Sequence, residues 1–320
     1  MTTIILDNVS RWFGNVVAVN DVTMSVGPGV TGLLGPNGAG KSTVINMMAG
    51  FLAPSAGTVT LDGQPVWRHE AIYRGIGLVP EREAMYDTVT GWQFALANAK
   101  LHRLPHPAAA ARRALDTVRM TDVKDRGIAT YSKGMKQRIK IATALVHDPQ
   151  VLLLDEPFNG MDPRQRIELM DLLHTMGGDG RTILFSSHIL EEVEQIAGDI
   201  QVMVAGRHAA SGDFRHIRRL MTERPHQYRV RSDDDRALAS AIMAERSASG
   251  VELVSGNGAG PGHSTTGARD TTVALHVQAT DVSQFVRALP RLAARHGIRL
   301  YEVSPADESL ERVFSYLVAR

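Results

Sequence analysis

The segment Gly35-Pro36-Asn37-Gly38-Ala39-Gly40-Lys41-Ser42-Thr43 carries glycines, a lysine and a hydroxyl at the spacing G-x-x-x-x-G-K-[ST]. Successive backbone N–H groups in such a turn form a concave anion site, and a helix N-terminus behind it adds a positive dipole. Lys41 would then meet the β- and γ-phosphates of a nucleotide, and the Ser42 hydroxyl would ligate Mg²⁺. A loop of this kind needs a strand before it and a helix after it. The apolar run Val30-Thr31-Gly32-Leu33-Leu34 and the stretch Thr43 to Met48 supply both.

A second chemical element follows Val151-Leu152-Leu153-Leu154, a short continuous apolar run of the kind that forms a buried parallel strand. It ends in Asp155-Glu156-Pro157. Carboxylates at the C-terminal end of a strand lie where open α/β sheets bind ligands. Asp155 fits the role of holding Mg²⁺ in phosphate-loop nucleotide hydrolases, and Glu156 could act as general base on the attacking water. Many strands end in a solvated acidic turn, so this pair gains meaning only beside the phosphate loop. Between the two lies Tyr131-Ser132-Lys133-Gly134-Met135-Lys136-Gln137-Arg138, followed by an amphipathic stretch to Val146. Ser and Gly at a helix start can present N–H and O–H donors to a phosphate; an ordinary capped helix with a basic face reads the same way.

The order of these segments carries a family resemblance. The chain resembles the ATPase subunit of ABC transporters over roughly residues 3 to 218. Tyr131-Ser132-Lys133-Gly134-Met135 is similar to the family signature Leu-Ser-Gly-Gly-Gln, departing at Tyr131, Lys133 and Met135 and keeping Ser132 and Gly134. Phe158-Asn159-Gly160-Met161-Asp162 resembles the D-loop. His188, after Phe185-Ser186-Ser187, resembles the switch histidine, and Phe13 in Trp12-Phe13-Gly14 matches the aromatic residue that stacks on adenine. The resemblance implies ATP held by residues 35 and 37–43 and, from a second copy, by Ser132, Lys133, Gly134 and Met135. It implies Glu156 and His188 as catalytic residues. Mg²⁺ would be held by Ser42, Asp155 and Glu81.

Glu81 stands where the family usually has Gln, in Val79-Pro80-Glu81-Arg82. A carboxylate keeps an oxygen ligand for a hard cation but adds negative charge beside the phosphates. The Pro-Glu loop and the Tyr-Ser-Lys-Gly-Met segment together resemble a branch of exporter ATPases for drugs, sodium or related cargo.

These residues require a fold that holds them. The expected class is α/β: a phosphate-loop ABC ATPase fold with a parallel-sheet core, an antiparallel β layer and a helical subdomain, followed by a small α+β domain. Strands are expected at Ile4–Leu6, Val16–Val19, Val22–Val26, residues 57–63 ending in an Asp-Gly turn, and residues 151–154, 182–185 and 200–204. Helices are expected at 163–176 and 189–196. Residues 89 to 145 read as helical, with Ala108 to Met120 as one helix, so the helical subdomain spans about 88–147. The ATP-binding domain would run over 1–222 and the accessory domain over 223–320. Within the latter the pattern is β-α-β-β-α-β-α: strands at 228–231, 251–254, 273–277 and 298–303, helices at 234–246, 282–295 and 309–318, and a glycine-rich flexible loop at 255–271.

Composition narrows the function class. The 320 residues are 43% hydrophobic, enough for one large and one small core. A net charge of +1 gives no electrostatic case for nucleic acid, and the Arg215–Arg219 cluster reads as a solvated helix face. With no cysteine there is no disulfide and no thiolate metal site. The N-terminus enters a strand pattern with no basic-then-apolar signal, and no apolar run approaches the ~18 residues that span a bilayer.

The expectation is therefore an ATP-hydrolysing exporter subunit that forms a homodimer around two Mg-ATP. It would be cytoplasmic and peripheral on the inner face of the cell membrane through a separate integral-membrane permease. The alternative is a soluble regulatory ATPase of the same family with slow hydrolysis. A kinase or GTPase has no use for the 131–138 segment, and the guanine motif Asn-Lys-x-Asp is missing from the sequence.

Overall fold

Four apolar residues, Val151–Leu154, form strand β7 and are all fully buried. Such a run suits a strand covered on both faces, and that is its position in the six-stranded sheet of the computed structural model. The structure describes residues 2–82, 85–213, 217, 226–245, 248–255, 273–279 and 282–305. They fall into two compact units, residues 2–217 and residues 226–305.

The first unit has two sheets. One is antiparallel, in the order β2-β1-β4-β5, from β1 (Ile4–Phe13), β2 (Val16–Val26), β4 (Ala56–Leu61) and β5 (Gln64–Pro65). Asp62 and Gly63, both at positive φ, join the last two as a tight hairpin, as the Asp-Gly pair predicts. The other sheet runs β10-β9-β3-β8-β7-β6, with β3 (Gly29–Leu34), β6 (Ile76–Val79), β8 (Thr182–Ser187), β9 (Asp199–Val204) and β10 (Arg207–Gly212). Its strands pair parallel except β10, which pairs antiparallel with β9. Helix α1 (Lys41–Met48) packs Val44, Ile45, Met47 and Met48 into a core shared with Leu6, Val9 and Val22 of the antiparallel layer and Leu33, Leu153 and Leu184 of the parallel sheet.

Sheet order matters most for the site. Strands β6, β7, β8 and β3 are consecutive parallel neighbours, so their C-terminal ends share one edge. The loops leaving them carry Glu81, Asp155-Glu156, His188 and the phosphate loop. That edge is where open α/β sheets bind ligands.

The segment expected to be helical contains, after α2 (Glu70–Tyr73), helices α3 (Gly91–Leu101), α4 (Pro107–Thr117) and α5 (Lys133–Leu145). Thr90 and Gln93 form a capping box on α3, and Pro107 opens α4 at a position that needs no N–H. Alanines Ala95, Ala99, Ala110, Ala111 and Ala114 are buried on the facing sides, which lets α3 and α4 approach closely. Helices α6 (Pro163–Gly178) and α7 (Leu190–Ile196) follow.

Three expectations about elements are corrected. The strands read at 16–19 and 22–26 are one strand; Asp21 takes a left-handed φ of 53° and its N–H donates to Ser10 Oγ, so the chain bulges without breaking. The helix read to Met120 ends at Thr117, with Arg119 left-handed beyond it. Strands β6 and β10 were not anticipated. One is four residues long, and the other, Arg-His-Ala-Ala-Ser-Gly, has no apolar alternation.

The second unit contains β11 (His226–Ser232), α8 (Asp235–Ala244), β12 (Gly250–Ser255), β13 (Val273–Ala279), α9 (Val282–Arg295) and β14 (Leu300–Pro305). Its sheet is antiparallel throughout, in the order β12-β13-β11-β14, the split β-α-β arrangement of ferredoxin-like folds. Val230, Leu275 and Val277 pack with Leu238, Ile242, Phe285 and Leu289 from the two helices. The helix expected at 309–318, most of the loop expected at 255–271, and the Arg215–Arg219 cluster apart from Ile217 lie outside the described residues.

Candidate nucleotide site

The phosphate loop leaves β3 and turns into α1 through Gly40, whose φ of 96° is left-handed. A Cβ at Gly40 would also lie 2.6 Å from Ala18 O, so only glycine closes this turn without strain. The first turn of α1 holds Lys41, Ser42 and Thr43 and no acidic residue, so its N–H groups and dipole meet no internal counter-charge. A cavity of about 350 Å³ opens in front of it, lined by Ala18, residues 37–43, Glu81 and Glu156.

Lys41 is 6% exposed, and its Nζ donates to Gly35 O at 2.7 Å and Pro36 O at 3.2 Å. The ammonium is thus anchored inside the curl of the loop. Opposite it, the acidic end of β7 is fixed by Ser186 on β8. The Ser186 hydroxyl donates to Asp155 Oδ1 at 2.7 Å and accepts from the Glu156 N–H at 2.8 Å. Glu156 has a φ of 48°, rare for a residue with a side chain. His188, after β8, brings Nδ1 to 3.0 Å from Glu156 Oε2. The other oxygen, Oε1, is buried, makes no hydrogen bond and lies 3.4 Å from Lys41 Nζ. Burial pushes the Glu156 carboxyl above the ordinary glutamate value, with Lys41 and then His188 acting against that rise. A carboxyl raised in this way beside a cation is suited to accept a proton near neutral pH.

The structure therefore brings Asn37 to Thr43, Glu81, Glu156 and His188 together, with Gly35 at the root of the loop and Asp155 beside Glu156. Phe13 ends β1, is half exposed and lies under the Arg11 guanidinium, 4.7 Å from its ring centre; Ala18 of the same hairpin lines the cavity. Ser132, Lys133, Gly134 and Met135 do not line it. They form the start of α5, where Ser132 Oγ accepts from Met135 N at 3.2 Å as the N-cap. A Cβ at Gly134 would collide with the Gln165 side chain of α6, so glycine lets the two helix starts touch. Asp162 in turn caps α6 by accepting from Gln165 N. Tyr131 is 6% exposed and donates to Val123 O, a packing role within the helical section.

Sequence reading passed over Ser186. Its signal is slight: a hydroxyl at the buried end of an apolar strand, just before His188. A hydroxyl there costs free energy unless it is hydrogen-bonded, and only the pairing of β7 with β8 shows its partners.

A family model described as ABC transporter matches residues 19–159. The chain is 30% identical over 319 residues to the Linearmycin resistance ATP-binding protein LnrL of Bacillus subtilis (strain 168), covering 98% of this chain and 97% of that one. It is 32% identical over 315 residues to the Bacitracin transport ATP-binding protein BcrA of Enterococcus faecalis, covering 98% and 95%. A solved ATP-binding subunit of an ABC transporter superposes with a TM-score of 0.61 at 29% identity, over 68% of this chain and 92% of that one.

Proposed function

The chain belongs to the ATP-binding proteins of ABC transporters, and on that premise we propose that it is the ATP-hydrolysing subunit of an exporter, working as a dimer around two Mg-ATP. The family binds and hydrolyses ATP. The observation that carries the reading is the convergence of Lys41 and Glu156 on one cavity at the shared edge of β3, β6, β7 and β8, with His188 held against Glu156. Full-length relatives named for linearmycin resistance and bacitracin transport favour efflux of drug-like cargo.

The donor set suits Mg²⁺: the Ser42 hydroxyl and the Asp155 and Glu81 carboxylates are hard oxygens, and Mg²⁺ is held by few protein ligands together with substrate phosphates. Among the described residues no group of three or more His, Asp or Glu side chains could hold a metal by itself. When bound, Mg²⁺ neutralises charge on the β- and γ-phosphates. The protein's own part is positioning. Lys41 and the α1 N-terminus bind the phosphates, Ser186 fixes the acidic turn, His188 holds Glu156 Oε2, and Glu156 takes the proton of the attacking water. Ser132, Lys133, Gly134 and Met135 of a second copy complete the site, with Phe13 stacking on adenine.

Among the described residues no helix is long and apolar enough to cross a membrane. From its membership in the ABC transporter ATP-binding proteins we assign transport itself to a separate integral-membrane permease, which holds this subunit on the inner face of the cell membrane. We place the boundary between the ATP-binding unit, 1–222, and the accessory unit, 223–320, in the segment between the two compact units. Glutamine in place of Glu156 tests the whole reading. With Mg-ATP the variant should accumulate as a dimer in light scattering while hydrolysis stops; a variant that stays monomeric at saturating Mg-ATP would refute the sandwich. The Glu81 carboxylate at the cavity favours one rival, a slow regulatory ATPase, which steady-state turnover at or near background would support.

A further inference from the structure

We propose that Lys140 is a positioning residue that holds the Glu81 carboxylate at the phosphate cavity and ties it to the helix that begins at Ser132. This rests on the metal role proposed for Glu81.

Lys140 lies on α5, about two turns beyond Ser132. It is 6% exposed, unusual for a lysine. Its Nζ donates to Pro80 O at 2.7 Å and to Glu81 O at 3.1 Å. Those carbonyls belong to the loop that leaves β6, the edge strand beside β7. The β7 strand leads to Asp155, whose N–H donates to Val79 O at the root of the same loop. Glu81 lines the cavity formed in front of residues 37–43.

Burying an ammonium costs several kcal/mol unless its donors find partners. Two consecutive backbone carbonyls turned toward one point repel each other unless a donor sits between them. Lys140 meets both requirements at once: the loop oxygens replace its water, and its charge holds both oxygens inward. The peptide at Glu81 is thereby fixed, and a fixed backbone leaves the side chain few ways to leave the cavity. Because α5 also presents Ser132 and Gly134, a shift of that helix would carry the Glu81 loop with it. Groups that fix a metal ligand from behind affect metal affinity or activity by about 10- to 100-fold.

The test uses the full chain with Lys140→Met, which keeps length and removes the donors. ATP binding without Mg²⁺, followed with a fluorescent ATP analogue, should match wild type because the phosphate loop is untouched. The gain in affinity brought by Mg²⁺ should shrink by about tenfold or more, and kcat at saturating Mg-ATP should fall. On a Glu81→Ala background, Lys140→Met should add nothing further, since coupled sites are not additive. A merely structural lysine would lower the melting temperature and leave the Mg²⁺ response alone. Wild-type Mg²⁺ response in folded Lys140→Met overturns the proposal, as does an equal loss on the Glu81→Ala background. A Glu81→Ala chain with normal Mg²⁺ response overturns the underlying role of Glu81 as well. Lys41→Ala, run alongside, separates failure of the nucleotide site from failure of this inference. If Lys140→Met does not fold, Lys140→Ala, which also removes the donors, carries the same comparison.

Discussion

Lys41 Nζ lies 3.4 Å from Glu156 Oε1, with the two side chains 6% and 8% exposed. One residue follows β3 and the other follows β7, and β8 runs between those strands. The contact therefore spans the sheet edge and links the phosphate-binding cation to the proton acceptor. Losing the Lys41 ammonium leaves the buried Glu156 Oε1 without its counter-charge, whereas a neutral amide at position 156 leaves Lys41 its two loop carbonyls, and that asymmetry shapes the predictions below.

Lys41→Ala removes the charge that faces the phosphates and leaves the loop carbonyls of Gly35 and Pro36 without their donor. ATPase turnover should fall by about 100-fold or more, and ATP affinity should drop in equilibrium binding. Turnover at the wild-type level would remove the phosphate-loop assignment.

Glu156→Gln should stabilise the fold at neutral pH. The folded carboxyl titrates above its ordinary value because of burial. Its contribution to stability is therefore complete below the ordinary glutamate value and is lost as pH rises through the raised one. The melting temperature of the variant should exceed wild type at pH 7.5. The difference should vanish near pH 4. A variant less stable than wild type at neutral pH contradicts the direction.

His188→Ala takes away one of the two groups that hold the Glu156 carboxyl down against burial. Glu156 must be ionised to accept a proton, so the acid limb of the kcat profile should move to higher pH, and kcat on the plateau should fall. An acid limb that stays in place would separate His188 from Glu156.

His147 predicts an acid sensitivity unrelated to catalysis. Its ring stacks on His102 at 3.9 Å and contacts Ile76 O, and burial followed by the His102 charge lowers its pKa from 6.5 to about 4. The folded state prefers the neutral ring, so the stability this gives is present above 6.5 and lost as pH falls toward 4. His147→Gln should flatten the fall in melting temperature between pH 6.5 and 4 while the neutral-pH ATPase stays near wild type.

Deleting residues 223–320 should leave ATP binding at the wild-type level, because every residue of the candidate nucleotide site precedes that point. Binding lost in a truncation whose circular dichroism shows a folded protein would contradict the two-unit organisation.

The phosphate loop, the acidic pair and the start of α5 were legible in the sequence because each is a local device. Gly40, Lys41 and Ser42 act through a spacing set by a few covalent links, and Asp155-Glu156 is announced by four apolar residues in a row. The β-α-β-β-α-β order of the second unit was equally readable from alternation and helical period. What the sequence by itself could not determine is adjacency. Ser186 reads as an ordinary strand residue until β8 lies beside β7 and its hydroxyl meets Asp155 and Glu156. Lys140 reads as one more basic residue on an amphipathic helix until α5 packs against the loop after β6. Strand β6, four residues interrupted by Gly77, and strand β10, with no apolar alternation, are each held by pairing with a neighbour. Hydrogen bonds between strands depend on partners distant in the chain, and burial of a charge depends on every layer around it. Those are properties of the tertiary structure, and they decide which of the chain's many polar residues stand at the cavity.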